Sequence, residues 1–173
     1  MMTASKLRDL SEIAKAEPAF TRLALDHLSD PDELRQYLQA ELEKHFRAKE
    51  SAADLVKRIQ GATGYAADRA KTIAQTEKTR SANGARYSAT VDEYLAEYDR
   101  ARKYHRKRPP LPEGMWIDPK TAKEPRSTHV AISGTVRPIG EEFRPGLHYP
   151  GDPGAPASET INCHCYWRRV RRR

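Results

Sequence analysis

The chain has few cysteines, few aromatic residues and no long apolar run. Of its 173 residues two are cysteines, 8% are aromatic and 38% are hydrophobic. Two cysteines exclude a disulfide-rich scaffold, and with one residue between them they bridge each other poorly. No apolar run approaches the roughly 20 residues of a membrane-spanning helix, and no signal-peptide pattern is present. We therefore expect that the chain first folds in a cytoplasm, that its thiols are reduced there and that it has no membrane partner.

Several catalytic motifs are also missing from the sequence. There is no glycine-rich phosphate loop followed by Lys and Ser or Thr, which excludes an ATP-driven motor of that type. The His-x-Glu and Pro-Cys-x-x-Cys pair of nucleic-acid deaminases is absent as well. No nucleophile lies next to an evident oriented base. The sequence therefore predicts a protein without enzymatic activity.

The positive charge of the chain is unevenly distributed. The formal net charge is +7, and the basic residues concentrate in a connector at 100–112 and a tail at 168–173. Such charge favours an acidic partner. The partner is either double-stranded DNA, bound non-specifically and in a salt-dependent way, or an acidic protein surface. A solvated run is the simpler alternative. The candidate phosphate-binding residues are Arg102, Lys103, Arg106, Lys107, Arg108, Arg168, Arg169 and Arg171.

Apolar residues at helical spacing dominate the first two thirds of the chain. Residues 1–62 are predicted as a helical arm or bundle, with helix starts at Asp30-Pro31 and Ser51 and with an apolar stripe that includes Leu34, Leu38, Leu42 and Phe46. A long helix is predicted from about residue 65 to 105.

Residues 63–173 are predicted as the second region, in which the long helix meets short strands. We predict strands at 115–117 and at 130–132, and the return of a hairpin at 134–136. Residues 138–156 are rich in turn signals. The predicted fold class is α+β, with an N-terminal helical arm and a long helix packed against a small, loop-rich antiparallel β unit.

Three polar residues interrupt the apolar stripe of the long helix, namely Glu77, Arg80 and Asn83. Polar side chains on a buried face need partners. We expect these three to hydrogen-bond the Pro- and Gly-rich loop at 146–162, with Arg80 also meeting Asp152 or Glu159. This interpretation makes the group a structural anchor and not a catalytic site.

The two cysteines and a distant histidine are the candidate metal ligands. Cys163, Cys165 and His129 offer sulfur and imidazole ligands that suit zinc, with His164 or Glu142 as a fourth ligand. The Cys-x-Cys spacing matches no familiar zinc finger. The alternative is a pair of reduced cysteines on a short strand, with His129 a structural histidine oriented by Asp152 or Glu142. No other cofactor is expected.

Ordered motifs across residues 65–167 carry a family resemblance. They are Ala74-Gln-Thr-Glu77 with Arg80 and Asn83, Met115-Trp116, Arg126-Ser-Thr-His129, Gly134, Glu142-Phe143, Tyr149-Pro-Gly-Asp152-Pro153 and Glu159-Thr-Ile-Asn162-Cys-His-Cys165. This set resembles the phage head-morphogenesis, or minor capsid, family typified by the F protein of phage Mu. That family usually has Arg between the two cysteines, where this chain has His164.

The resemblance implies a low-copy structural protein inside the head of a tailed phage or a prophage-derived relative. It implies a place in the virion at the portal vertex, host cytoplasm during assembly, and in some phages ejection with the DNA. The implied partners are the portal protein, the major capsid or scaffold protein, DNA and further copies of the chain. The motif residues expected to be structural are Glu77, Arg80, Asn83, Trp116, Arg126, His129, Asp152, Glu159 and Asn162.

Two other functions compete with this expectation. One is a metal-dependent hydrolase or nuclease centred on His129, Glu142, Cys163 and Cys165. The other is a stand-alone DNA-binding protein.

Overall fold

The protein is a mixture of helices and a small sheet. The computed structural model describes residues 3–15, 40–41, 43–45 and 47–170. The helices are α1 (Ala4–Lys15), α2 (Ala52–Thr63), α3 (Ala67–Lys103), α4 (Ser127–Ile132) and α5 (Ala157–Thr160). The strands are β1 (Glu113–Ile117), β2 (Val136–Pro138) and β3 (Tyr166–Val170), which form one antiparallel sheet in the order β2-β1-β3. The predicted α+β class is confirmed.

Helix α3 is the long helix that the sequence predicts. It runs for 37 residues without a proline, begins with Asp68 in its first turn, and has Arg100, Arg102 and Lys103 in its last turn. Acidic residues near the start and basic residues near the end both interact favourably with the helix dipole. The observed ends lie within two residues of the predicted ones.

The main core lies between α3 and the sheet. Tyr87 of α3 packs against Tyr149 and Trp167, with ring centroids 4.9 Å and 5.7 Å away. Gly114 of β1 is required beside this core, because a Cβ atom there would lie 2.0 Å from the indole nitrogen of Trp167. Burial of these large aromatic side chains is the main source of stability in this half of the protein.

Helix α1 also belongs to this core. Leu7 is fully buried within the main cluster of apolar residues. Arg8 forms an exposed ion pair of 2.9 Å with Asp99 of α3. The buried Ser11 hydroxyl donates a hydrogen bond of 2.8 Å to Asp92. The N-terminal helix is therefore held along the second half of α3.

Helix α2 begins at the predicted cap. The Ser51 hydroxyl accepts a hydrogen bond from the Asp54 N–H, while the Asp54 carboxylate accepts one from the Ser51 N–H. Leu55 and Ile59 form a second apolar cluster with α3. The predicted helix start at Asp30 and the stripe of Leu34, Leu38, Leu42 and Phe46 lie outside the described residues.

The prediction of a strand at 130–132 is wrong, because these residues end helix α4. β-Branched residues favour strands mainly where they pack on a sheet, and here Val130 is 45% exposed. The helical turn instead directs His129 into the interior, where it is 2% exposed. The sequence does not predict strand β3, since its arginines resemble a basic tail. Among the helices that the structure describes, none combines the length and the apolar character needed to cross a membrane.

Candidate metal centre and its surroundings

His129, Cys163 and Cys165 meet in the interior of the protein. Helix α4 supplies the histidine, and the segment between α5 and β3 supplies both cysteines. The Nδ1 atom of His129 lies 3.6 Å from each of the two Sγ atoms. All three side chains are buried, and their ligand atoms lie within 4.8 Å of one another. The cluster can therefore hold a metal ion.

A carboxylate orients the ring of His129. Its Nε2 atom lies 2.8 Å from Oε2 of Glu159, whose other oxygen, Oε1, pairs with Arg144 at 3.3 Å. Because a carboxylate accepts hydrogen bonds, Nε2 carries a proton, and Nδ1 is the ring nitrogen whose lone pair could bind a metal ion. This arrangement of carboxylate, histidine and open ring nitrogen is the usual support for a metal-ligating histidine.

The expected orienting partner of His129 is corrected by this contact. The sequence predicts Asp152 or Glu142 in that role. Asp152 instead accepts hydrogen bonds from the backbone of Gly154 and pairs with His148 at 2.9 Å. Glu142 is exposed.

The spacing of the cluster fits tetrahedral zinc. Zinc–sulfur bonds of about 2.3 Å and zinc–nitrogen bonds of about 2.0–2.1 Å place sulfur and nitrogen about 3.5 Å apart at a tetrahedral angle. The observed separation is 3.6 Å for both sulfur atoms. The fourth ligands predicted from the sequence are not part of the cluster, since neither His164 nor Glu142 is grouped with it.

The pKa values of the two thiols shift in opposite directions. A hydrogen bond from Cys165, followed by contact with His129, lowers the pKa of Cys163 against the effect of burial. The same contact with Cys163, together with burial, raises the pKa of Cys165. The pair therefore holds one negative charge easily, and a bound cation would favour deprotonation of both thiols.

Asn83 anchors the C-terminal segment to α3. Its side-chain NH₂ group donates to the carbonyl oxygens of Pro150 and Cys165 at 3.1 and 3.2 Å, as well as to that of Thr79. Its Oδ1 atom accepts a hydrogen bond of 2.9 Å from the N–H of Trp167. One buried amide therefore joins the helix, the loop and the start of β3, as the anchor interpretation predicts.

Three further residues of α3 anchor the cysteine segment, and the sequence analysis does not predict them. The Thr79 hydroxyl and the Gln75 amide both donate to the carbonyl of Cys163, at 2.5 and 3.3 Å. Thr76 accepts a hydrogen bond of 2.8 Å from the N–H of Asn162. Gln75, Thr79 and Asn83 recur every four residues on one helix face. That spacing is the sequence signal that would have identified Gln75 and Thr79.

The motif residues Arg126 and Asn162 hold the backbone near the cysteines. Arg126 donates a hydrogen bond to the carbonyl of Ile161. Asn162 has a φ of 53° and an exposed side chain. This left-handed conformation is one that asparagine tolerates better than most residues. Trp116 packs on the cluster, its ring centroid 4.9 Å from that of His129.

The partners predicted for Glu77 and Arg80 are wrong. Glu77 is 4% exposed, and its Oε2 atom has no hydrogen-bond partner among the described residues. Asp152 and Glu159 pair with histidines, and within the described part of the chain neither forms an ion pair with Arg80. The loop instead approaches the helix backbone, since a Cβ atom at Gly151, where φ is 83°, would lie 2.8 Å from Cα of Arg80.

The buried Glu77 carboxyl makes the stability of the protein depend on pH. Burial raises its pKa from 4.5 to about 7, although the charge of Arg80 opposes this rise. The folded state thus binds the proton more tightly than the unfolded chain. The free energy of unfolding should decrease by about 3 kcal/mol as the pH rises from about 4.5 to about 7, and this contribution should then level off.

We predict that Glu77→Gln removes this decrease. At pH 8 the variant should be more stable than the wild type by up to about 3 kcal/mol, and at pH 4.5 the two should be nearly equal. Urea denaturation at both pH values measures the difference, with the exposed Glu97→Gln as the matched control. A variant less stable than the wild type at pH 8 would show that the charged form of Glu77 is held by a favourable contact.

The predicted phosphate-binding residues lie at two exposed places. Arg102, Lys103, Arg106 and Lys107 are exposed at and beyond the end of α3. Arg108 donates a hydrogen bond of 2.9 Å to the hydroxyl of Tyr94. Arg168 and Arg169 are exposed on β3, where Arg169 forms an ion pair with Glu93. Arg171 lies outside the described residues.

A groove of about 780 Å³ runs beside β3. Its lining includes Arg86 and Glu93 of α3 and Tyr166, Arg168 and Arg169 of β3. The groove therefore combines three arginines with one carboxylate, which pairs with Arg169, and one exposed aromatic ring.

Comparisons of the chain with protein-family models, with curated proteins and with solved structures found no match. The resemblance of residues 65–167 to the phage Mu F-like family stays a prediction from the motifs.

Proposed function

We propose that this chain is a structural minor head protein of a tailed phage or of a prophage-derived relative, located inside the head at the portal vertex. The observation that carries the proposal is that residues of the motifs that resemble the phage Mu F-like family make structural contacts within the protein. Asn83 joins the C-terminal segment to α3. Arg126 and the His129–Glu159 pair join the same segment to α4. Motif residues that hold the fold together in this way support a structural role for the protein.

Zinc is the structural cofactor in this proposal, bound by His129, Cys163 and Cys165. Two thiolates and one imidazole are ligands that zinc prefers. The His129–Glu159 pair supplies the support that such a ligand needs. When bound, the ion would hold helix α4 to the segment that enters β3.

The partners follow from the charge of the exposed surface. The basic residues near the end of α3 and on β3 suit non-specific contact with packaged double-stranded DNA. The proposed protein partners are the portal protein and the major capsid or scaffold protein, together with further copies of this chain. Ejection with the DNA is part of the same proposal.

Burial argues against the hydrolase alternative. A catalytic zinc keeps one coordination position open to water or substrate. Here His129, Cys163 and Cys165 are 2%, 1% and 5% exposed. A substrate would have to displace the protein interior to reach an ion at this place, so a structural ion is the better interpretation.

Quantitative mass spectrometry of purified particles tests the head-protein proposal. The particles are those made by the phage or induced prophage that encodes the chain, and the portal protein serves as the internal standard. We expect a few copies of the chain per portal ring. Absence from complete particles would contradict the proposal, and so would a copy number close to that of the major capsid protein.

A further inference from the structure

The end of β1 brings a fourth potential ligand to the metal cluster. Ile117 pairs with Tyr166 in the antiparallel register, so the next pair outward is Asp118 and Cys165. Directly opposed residues on antiparallel strands project from the same face, with Cβ atoms about 5 Å apart. Trp116, two residues before Asp118 and thus on that same face, contacts His129. Asp118 therefore lies on the side of the sheet that carries the cluster.

The Asp118 carboxylate has one oxygen with a hydrogen bond and one oxygen without. Its Oδ1 atom accepts a hydrogen bond of 2.8 Å from the N–H of Lys120, and its own N–H donates to the Ser133 hydroxyl. The residue is 9% exposed, and its Oδ2 atom is buried without a hydrogen-bond partner among the described residues. A buried carboxylate oxygen without a partner is strongly unfavourable, so a ligand that is a cation would stabilise it.

The charges that would meet at this position favour a cation. Two thiolates and a carboxylate near one another would repel one another. A divalent cation between them would reverse that repulsion, and carboxylate oxygen is an ordinary zinc ligand.

We propose that Asp118 is the fourth zinc ligand, through Oδ2, which completes a site of two cysteines, one histidine and one aspartate. The inference rests on the zinc proposed above. Asp118 is not part of the group of side chains whose ligand atoms lie within 4.8 Å of one another. Its side chain must therefore rotate toward the ion on binding, while the hydrogen bond from its own N–H to Ser133 keeps the backbone in place.

Metal titration of the purified full chain tests this assignment. The variants are Asp118→Asn, which keeps an oxygen for the Lys120 N–H, and Asp118→Cys, which offers a third sulfur. Asp152→Asn is the matched control, because Asp152 is also buried and also accepts a backbone N–H two residues ahead. Zinc affinity is measured by competition with a chelator, and coordination by the absorption of bound Co²⁺.

We expect Asp118→Asn to weaken zinc binding by roughly 100-fold or more, since loss of a mere supporting residue already costs about 10–100-fold. Asp118→Cys should raise the thiolate-to-cobalt charge-transfer absorption by about half, from two sulfur ligands to three. Asp152→Asn should change neither quantity.

Two results would overturn the assignment, and they differ in meaning. If Asp118→Asn binds zinc as tightly as the wild type, with an unchanged cobalt spectrum, Asp118 is not a ligand although the zinc site stands. If the wild type binds neither metal, the zinc proposal itself fails. Should Asp118→Asn not fold, an Asp118→Cys protein whose cobalt spectrum equals that of the wild type would likewise show that residue 118 does not coordinate the ion.

Discussion

Asn83→Ala should lower the free energy of unfolding by about 4 kcal/mol or more, which is a large part of the roughly 5–15 kcal/mol that a domain has. The substitution removes the partners of the Pro150 and Cys165 carbonyls and of the Trp167 N–H. Each buried polar group left without a partner costs about 1–3 kcal/mol. The loss of several at once explains why the expected effect exceeds that of an ordinary polar substitution.

Urea denaturation followed by tryptophan fluorescence measures this effect, since Trp116 and Trp167 are both buried in the main core. The control is Glu97→Ala, an exposed residue of the same helix, whose effect should stay within about 0.5 kcal/mol. A loss below about 1 kcal/mol for Asn83→Ala would mean that the loop and β3 hold their positions without the amide.

The sequence predicts helix α3 well because its signals are local. Apolar residues at helical spacing and the absence of proline both act within a few turns. The cap at Ser51 is local in the same sense. The group at 130–132 shows the limit, since its β-branched residues predict a strand while their surroundings favour a helix.

The anchor residues are predictable only in part. The sequence places Glu77, Arg80 and Asn83 on one stripe of a helix, but the stripe does not say which of them meets the loop. Asn83 does, whereas Glu77 is buried without a hydrogen bond to its Oε2 atom among the described residues. A side chain's partner depends on the depth and rotation at which the loop docks, and those follow from the packing of the whole core.

The metal cluster illustrates the same distinction. Soft ligands at 129, 163 and 165 suggest a site from residue type alone. The identity of the orienting carboxylate requires the fold, because His129 and Glu159 are 30 residues apart and meet through α4 and α5. Asp118 is invisible at the sequence level, since only the strand register places it opposite Cys165.

With zinc bound as proposed, its removal should lower the melting temperature of the wild-type chain by roughly 7–20 °C. Structural zinc binding in small domains is worth about 10–16 kcal/mol. If only a third of that is lost as folding stability, a protein of this size melts roughly 7–20 °C lower, at about 2–4 °C per kcal/mol. A strong chelator applied to the purified protein should cause the drop, and one equivalent of zinc should reverse it.

Cys163→Ser and His164→Ala separate the ion from other effects of this treatment. Cys163→Ser removes a ligand, so its melting temperature should already be low and should not respond to the chelator. His164→Ala changes the half-buried residue between the cysteines, which is not part of the cluster, and it should respond as the wild type does. Equal melting temperatures of the wild type with and without chelator, together with no zinc in the purified protein, would instead favour the alternative in which two reduced cysteines and a hydrogen-bonded histidine form a metal-free core.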